Sequence, residues 1–146
     1  MKIIRGELTA IKSLIRPFIV NKYLNAHPQP MLNLGSGPYR FPGWLTADAF
    51  ASEADIYMNV KKAFPFKSSS FSVIYSEHML EHIYIDKVPS VLKEIHRVLK
   101  PNGLFRVTVP DLEIHARNYV EKNSEFFKPI VDKYMARWDK QKNKYW

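Results

Sequence analysis

The spacing of apolar residues changes character at about residue 30. Over residues 3–24, Ile4, Leu8, Ile11, Ile15 and Phe18 recur at the i, i+4, i+7 interval of one helical face. Arg5, Lys12 and Arg16 fall on the other side, so the apolar face is expected to pack on the chain's own domain. Pro17 is expected to kink this helix or restart it as a second one. His27-Pro28-Gln29-Pro30 then breaks the pattern. Beyond the break come short apolar runs at residues 31–34, 44–48, 55–58, 71–76 and 104–109, which predict five strands. Asp86 is expected to cap a helix running to about Leu99, with Val88, Val91, Leu92, Ile95 and Leu99 as its apolar face and Pro89 in its first turn. Lys100-Pro101-Asn102-Gly103 stops it. Pro110-Asp111 opens a further helix to about Lys122, and Ser124 starts a last one through Tyr134 and Trp138.

Strands alternating with helices predict an α/β domain around a mostly parallel sheet. The expected organisation is an N-terminal amphipathic segment at 1–28, a main domain at 29–123 and a basic C-terminal helix at 124–146. Ligands of such sheets bind beyond the carboxyl ends of the strands. Candidate chemistry is therefore sought at Gly35 to Gly37, Asp48, Asn59, Ser76 to His78 and Asp111.

Composition narrows the class. The 146 residues contain no cysteine, which excludes disulfides, thiolate metal sites and a cysteine nucleophile. No apolar stretch reaches the roughly 20 residues of a membrane span, and no leader pattern opens the chain, so a cytoplasmic location is expected. The net charge is +8, and the excess sits at the two ends. A basic balance favours anionic partners. Two such readings are specific: residues 3–24 lying on an anionic membrane, and RNA contact by Tyr134, Trp138, Tyr145 and Trp146, which interleave with lysines.

Gly35-Ser36-Gly37 after a strand permits a tight turn and close approach of backbone to a ligand. The third glycine of the dinucleotide fingerprint is absent, because position 40 is Arg40. Asp48, at the end of the next strand, can accept both hydroxyls of a ribose. Too few residues separate Gly35 from Trp44 for a full helix, so this loop must cross compactly.

Three stretches, LNLGSGPYRFPGWLTAD, ADIYMNVKKAFPFKSSSFSVIYSEHMLEHI and VLKEIHRVLKPNGLFRVTVPDLE, together resemble the class I S-adenosylmethionine-dependent methyltransferases. The similarity covers residues 31–113 and is strongest to type-11-like small-molecule or sugar methyltransferases. It implies a Rossmann-like sheet of about five strands in the order 3-2-1-4-5 with flanking helices. No antiparallel hairpin of the kind that closes the family's sheet is expected among these residues, which would leave the last strand an open edge able to pair with a second copy.

The resemblance also implies roles. S-adenosylmethionine is the cofactor. Gly35, Ser36 and Gly37 pass beside its methionine part, and Asp48 holds the ribose. Asn59 and Val60 stand near adenine, and Asn33 replaces an acid that many relatives carry in the first strand. Ser76 and His78 line the methyl and substrate side, and Glu77 is a further cofactor-binding candidate. The acceptor is a small molecule or glycan, with His78 and then Asp111 as candidate bases. A truncated, non-catalytic module needing a partner is the alternative, and an RNA-directed protein a third.

His78-Met79-Leu80-Glu81-His82 also reads as the H-x-x-E-H string of inverted zinc proteases. It follows a strand and has no evident third ligand, so no metal is expected. Glu81 and His82 are read as loop-fixing groups instead, and His96 and His115 as structural.

Overall fold

The computed structural model describes residues 2–49 and 54–132. The lysine-interleaved aromatics Tyr134, Trp138, Tyr145 and Trp146 lie outside the described residues. The chain forms two units, Met1–Val109 and Pro110–Trp146.

In the first unit the apolar runs form the strands of one parallel sheet. They are β1 (Met31–Leu34), β2 (Leu45–Asp48), β3 (Ile56–Tyr57), β4 (Phe71–Glu77) and β5 (Leu99–Thr108). Their order is β3-β2-β1-β4-β5, and every pairing is parallel. This is the Rossmann-like order that the resemblance implied. The pairings of Leu32 with Leu45, Leu34 with Ala47, and Ala47 with Ile56 line up a fully buried row. Ile74 continues it next to Leu32. Val91, Ile95 and Val98 of α2 (Val88–Val98) are buried in the same core, with Phe64, Phe66 and Phe71.

Helix α1 (Lys2–Ala26) runs through Pro17 without interruption, so the expected restart does not occur. Its orientation reverses the expectation as well. Val20 is buried, and Ile19, Tyr23 and Leu24 pack on the core. Ile11, Leu14, Ile15 and Phe18 are exposed. Lys12 donates to the Ala54 carbonyl at 2.6 Å and Arg16 to the Tyr57 carbonyl at 3.4 Å. The side carrying Lys12 and Arg16 thus faces the domain, because the loop before β3 and the end of β3 offer carbonyls to donors. Tyr23 anchors the helix end. Its hydroxyl lies 2.8 Å from the carbonyls of both Met31 and Gly43 and accepts the Met31 N–H. Burial pushes the Tyr23 phenol above its ordinary range.

Two local expectations fail for backbone reasons. Asp86 does not cap α2: the N-cap is Lys87, without a side-chain cap bond. Pro89 in the first turn lacks one of the N–H groups that a capping carboxylate would serve. The fifth strand starts at Leu99, not Leu104, since Leu99 already pairs with Phe71 and the register resumes at Leu104 with Val73. Lys100 to Gly103 therefore form an irregularity inside β5 and not a linker before it.

One ion pair fixes α2 to the loop before β4. Arg97 donates to Glu94 through Nε at 2.8 Å and Nη2 at 2.7 Å, and to the carbonyls of Phe66 and Phe64. Glu94 also accepts the Phe64 N–H at 2.6 Å. Phe64 and Phe66 are thereby held in the core, where Phe66 meets Phe71 edge-on at 4.8 Å.

In the second unit, α3 (Leu112–Val120) starts at Asp111, whose carboxylate accepts the Glu113 and Ile114 N–H groups at 2.9 and 3.2 Å. Residues 124–132 are again helical.

The Arg97 hydrogen bonds, aided by the Phe64 amide, hold the Glu94 carboxyl down to about 2 from an ordinary 4.5. A depressed carboxyl stabilises the fold fully above its unfolded value and loses that contribution as pH falls through the folded value. Glu94→Gln is therefore expected to lower Tm at pH 7 and to flatten the fall of stability between about pH 4.5 and 2. Thermal melts of both proteins across that range check this.

Candidate functional site

The carboxyl ends of β1 and β2 are joined by a hydrogen-bonded glycine turn. Gly35 N–H donates to Ala47 O at 2.8 Å, Ser36 N–H to the same carbonyl at 3.3 Å, and Gly37 N–H to Asp48 Oδ2 at 2.8 Å. Gly35 and Gly37 have φ of +73° and +53°, the left-handed region that glycine enters without steric cost. A Cβ at Gly35 would lie 2.5 Å from Met79 Cγ, so the side chain after β4 packs directly on this turn. A Cβ at Gly37 would meet nothing within 4 Å. The turn thus has one closed side and one open side.

Asp48 is half-buried, and one of its oxygens fixes Gly37. A carboxylate offers about four acceptor positions. A carboxylate at this position is also of the chemical type that accepts from hydroxyl donors. Asp48 O also accepts the Met58 N–H at 3.0 Å, which carries the chain from β3 past the same edge.

The loop between β1 and β2 contains no helix, as its length required. Arg40 reaches Asp55 at 2.8 Å. Asp55 Oδ2 accepts both the N–H and the hydroxyl of Thr46. Phe41 and Trp44 pack against Tyr75 of β4, with ring centroids 6.0 and 6.4 Å away, and the Arg106 guanidinium lies 5.9 Å above the Tyr75 ring. This network was not visible in the sequence, because its partners lie up to 34 residues apart in the chain.

Among the sequence candidates, Asn33, Ser36 and Ser76 are buried. Asn33 is paired in register with Thr46 and Tyr75 at the sheet centre. The Ser36 hydroxyl donates to Gly37 O at 3.3 Å. Asn59 Oδ1 accepts the Lys61 N–H at 3.0 Å, so its amide oxygen closes the turn after β3. Val60 packs on the core. Glu77 is exposed at the end of β4. The Ser76 hydroxyl is fully buried and has no hydrogen-bond partner, and the Thr108 hydroxyl at the end of β5 is likewise buried and unpartnered. Such groups carry a desolvation cost that a bound ligand can offset. Thr108 was missed by sequence reasoning, which had no signal for an orphaned hydroxyl.

His78 follows β4 with φ of +49°, an uncommon state for a non-glycine residue, fixed by its N–H donating to Thr108 O at 3.1 Å. Its ring Nδ1 lies 3.2 Å from Glu81 Oε1, and the side chain is exposed. Leu80–His82 form one 3-10 turn, so His78 precedes it and shares no α-helical face with His82. Among the described residues no cluster of three metal-ligating side chains occurs. Asp111 belongs to the second unit, where its carboxylate caps α3.

Gly35→Ala places a side chain at positive φ and against Met79. It is expected to cost about 1–3 kcal/mol of stability. Equilibrium urea unfolding of the two proteins measures that difference.

Comparison with known proteins bears on the family and the fold. The family model described as a methyltransferase domain matches residues 32–107. A sterol 4-C-methyltransferase of Caenorhabditis elegans is 42% identical over 66 residues, covering 45% of this chain and 18% of that protein. A SAM-dependent methyltransferase of Thermotoga maritima shares the fold, with a TM-score of 0.50 and 23% identity over 79% of this chain and 65% of that one. A Pyrococcus horikoshii protein aligns with a TM-score of 0.44 and 21% identity over 69% of this chain and 57% of its own. The chain thus spans less than a fifth of the sterol enzyme and about two thirds or less of these structures. Among the described residues no helix is long and apolar enough to cross a membrane. The family match covers just over half of the 146 residues, and the chain belongs to the methyltransferase-domain family, of the class I, S-adenosylmethionine-dependent kind.

Proposed function

We propose that this chain binds S-adenosylmethionine at the carboxyl ends of β1, β2 and β4 and serves methyl transfer to a small-molecule or sugar acceptor. The observation that carries the reading is the glycine turn tied to Asp48, open at Gly37 and close to β4 through Met79. The residues present fit the cofactor. Gly37 leaves space for it, Asp48 places a carboxylate beside the turn of the kind that ribose hydroxyls donate to, and the buried Ser76 hydroxyl lacks a partner. Asn33, Gly35 and Ser36 frame the methionine side, Asn59 and Val60 the adenine side, and Glu77 the rim. When bound, S-adenosylmethionine supplies an electrophilic methyl group on a sulfonium.

The chain's own task is orientation and proton removal. A hydroxyl or amine acceptor sheds a proton as it becomes a better nucleophile, and an imidazole oriented by a carboxylate suits that role. His78 with Glu81 provides this pair at the edge of the turn. Its exposure leaves the ring open to an acceptor arriving from solvent. Asp111 is a weaker candidate, since its carboxylate already caps α3. The sterol 4-C-methyltransferase relative acts on a small molecule, which supports the acceptor class.

Isothermal calorimetry with S-adenosylmethionine and its demethylated product is the direct test. Binding in the micromolar range is expected, and Asp48→Ala should weaken it at least tenfold. No heat from a folded sample overturns the cofactor assignment. His78→Ala should leave that affinity unchanged and slow transfer to hydroxyl or amine acceptors by roughly 10²-fold or more, the range of general-base catalysis. Equal rates for the two proteins across a pH profile remove His78 as the base.

A further inference from the structure

Strand β3 is two residues long and pairs with β2 at Ala47 and Asp48. One step earlier, the same register brings Asp55 beside Thr46. There the Asp55 side chain takes over from the ladder. Its Oδ2 accepts the Thr46 N–H at 2.9 Å and the Thr46 hydroxyl at 2.8 Å, and the Asp55 N–H donates to Thr46 Oγ1 at 2.9 Å. Thr46 is buried, so these bonds satisfy groups that are costly to leave unpaired. The second carboxylate oxygen serves a different element. Oδ1 accepts from Arg40 Nη1 at 2.8 Å. One carboxylate thus joins the strand that ends in Asp48 to the loop that begins with the glycine turn.

We propose that Asp55 is a positioning residue for cofactor binding, a role that rests on the glycine turn receiving S-adenosylmethionine. It acts through Arg40 on the segment after Gly37 and through Thr46 on the strand that carries Asp48. Arg40 lies between Pro38 and Pro42, which have no N–H to donate, and no helix stiffens residues 35–44. Gly37 is tied to Asp48 at 2.8 Å, and three residues later Arg40 is tied to Asp55. The two acids stand at the two ends of the β2–β3 connection. Residues 37–40 are therefore fixed at both ends to one edge of the sheet, and the open space at Gly37 lies on this segment. Holding the segment before the cofactor arrives removes an ordering cost from binding.

Helix α1 braces the same point, since Lys12 donates to the carbonyl of Ala54, the residue before Asp55. The Arg40 and Asp55 side chains are 58 and 29% exposed. Exposed ion pairs add little to folding. Loss of this pair is therefore read in ligand affinity before it is read in Tm.

Calorimetry of the full chain with the demethylated product of S-adenosylmethionine, beside thermal melts and hydrogen exchange without ligand, tests this. Asp55→Asn keeps one oxygen for Thr46 and loses the acceptor for Arg40. Asp55→Asn and Arg40→Gln should each weaken binding about fivefold, the range of one exposed ion pair. The combined variant should bind no more weakly than either, because both remove the same interaction. Arg40→Lys should recover most of the affinity. Arg40→Gln should leave Tm nearly unchanged and speed amide exchange across residues 36–44. Wild-type affinity in Asp55→Asn overturns the proposal, as does a fall in Tm with no fall in affinity. Losses that add in the combined variant overturn it in favour of direct contact between Arg40 and the ligand. If Asp55→Asn fails to fold, unchanged affinity or unchanged exchange in Arg40→Gln overturns it. A wild-type chain that binds nothing overturns the cofactor reading and this role with it, whereas a binding chain indifferent to both substitutions overturns this role alone.

Discussion

The architecture depends on joining two parallel strands through a connection with no helix. Parallel neighbours normally need a crossover of a dozen or more residues. Only ten residues lie between Leu34 and Leu45. The strands are four residues each, about 13 Å long at ~3.3 Å per residue, so a ten-residue loop can still return along them. The loop must turn at once, and Gly35 and Gly37 allow it. Its N–H groups have no helical carbonyls to reach and bond instead to Ala47 O and Asp48. The same constraint that closes the fold thus places an acidic side chain beside open backbone.

Missing helices also decide what covers the sheet next to this loop. Phe41, Trp44 and Tyr75 gather there, and Arg106 lies over the Tyr75 ring. Aromatic rings cover much area with few torsions to order. On the other side of the turn, Met79 fills the position where Gly35 lacks a side chain. The order of the structure runs from turn to Met79 to the His78–Glu81 pair. A candidate base is therefore positioned by residues that also shape the candidate cofactor cradle.

The parts of this arrangement legible in the sequence are those set by local chemistry. Short β-branched and aromatic runs became strands, Asp111 became a cap, and two glycines after a strand became a left-handed turn. What escaped was set by competition between distant groups. The pattern Ile4, Leu8, Ile11, Ile15, Phe18 announced a buried face, yet Val20, Tyr23 and Leu24 were the residues that met the core. Periodicity locates an apolar stripe without saying which surface covers it. Asp86 looked like a cap until Pro89 removed a donor. The Glu94–Arg97 pair bridges two loop carbonyls about 30 residues away, a relation that no spacing rule encodes.

These distant bonds alter the meaning of the charge excess. A net charge of +8 invites the search for an anionic partner. Lys12 is bound to Ala54 O, Arg16 to Tyr57 O, Arg97 to Phe64 O and Phe66 O, and Lys100 to Pro28 O. Apart from Tyr57 O, at the end of β3, these carbonyls belong to connections between elements, where no ladder or helix accepts from an N–H. An unpaired buried carbonyl costs free energy, and a long cationic side chain satisfies it while keeping part of itself in water. A fold with short, helix-poor connections has many such carbonyls. Part of the basic excess is therefore a consequence of the compact crossings themselves, and it stabilises the same loops that frame the candidate site.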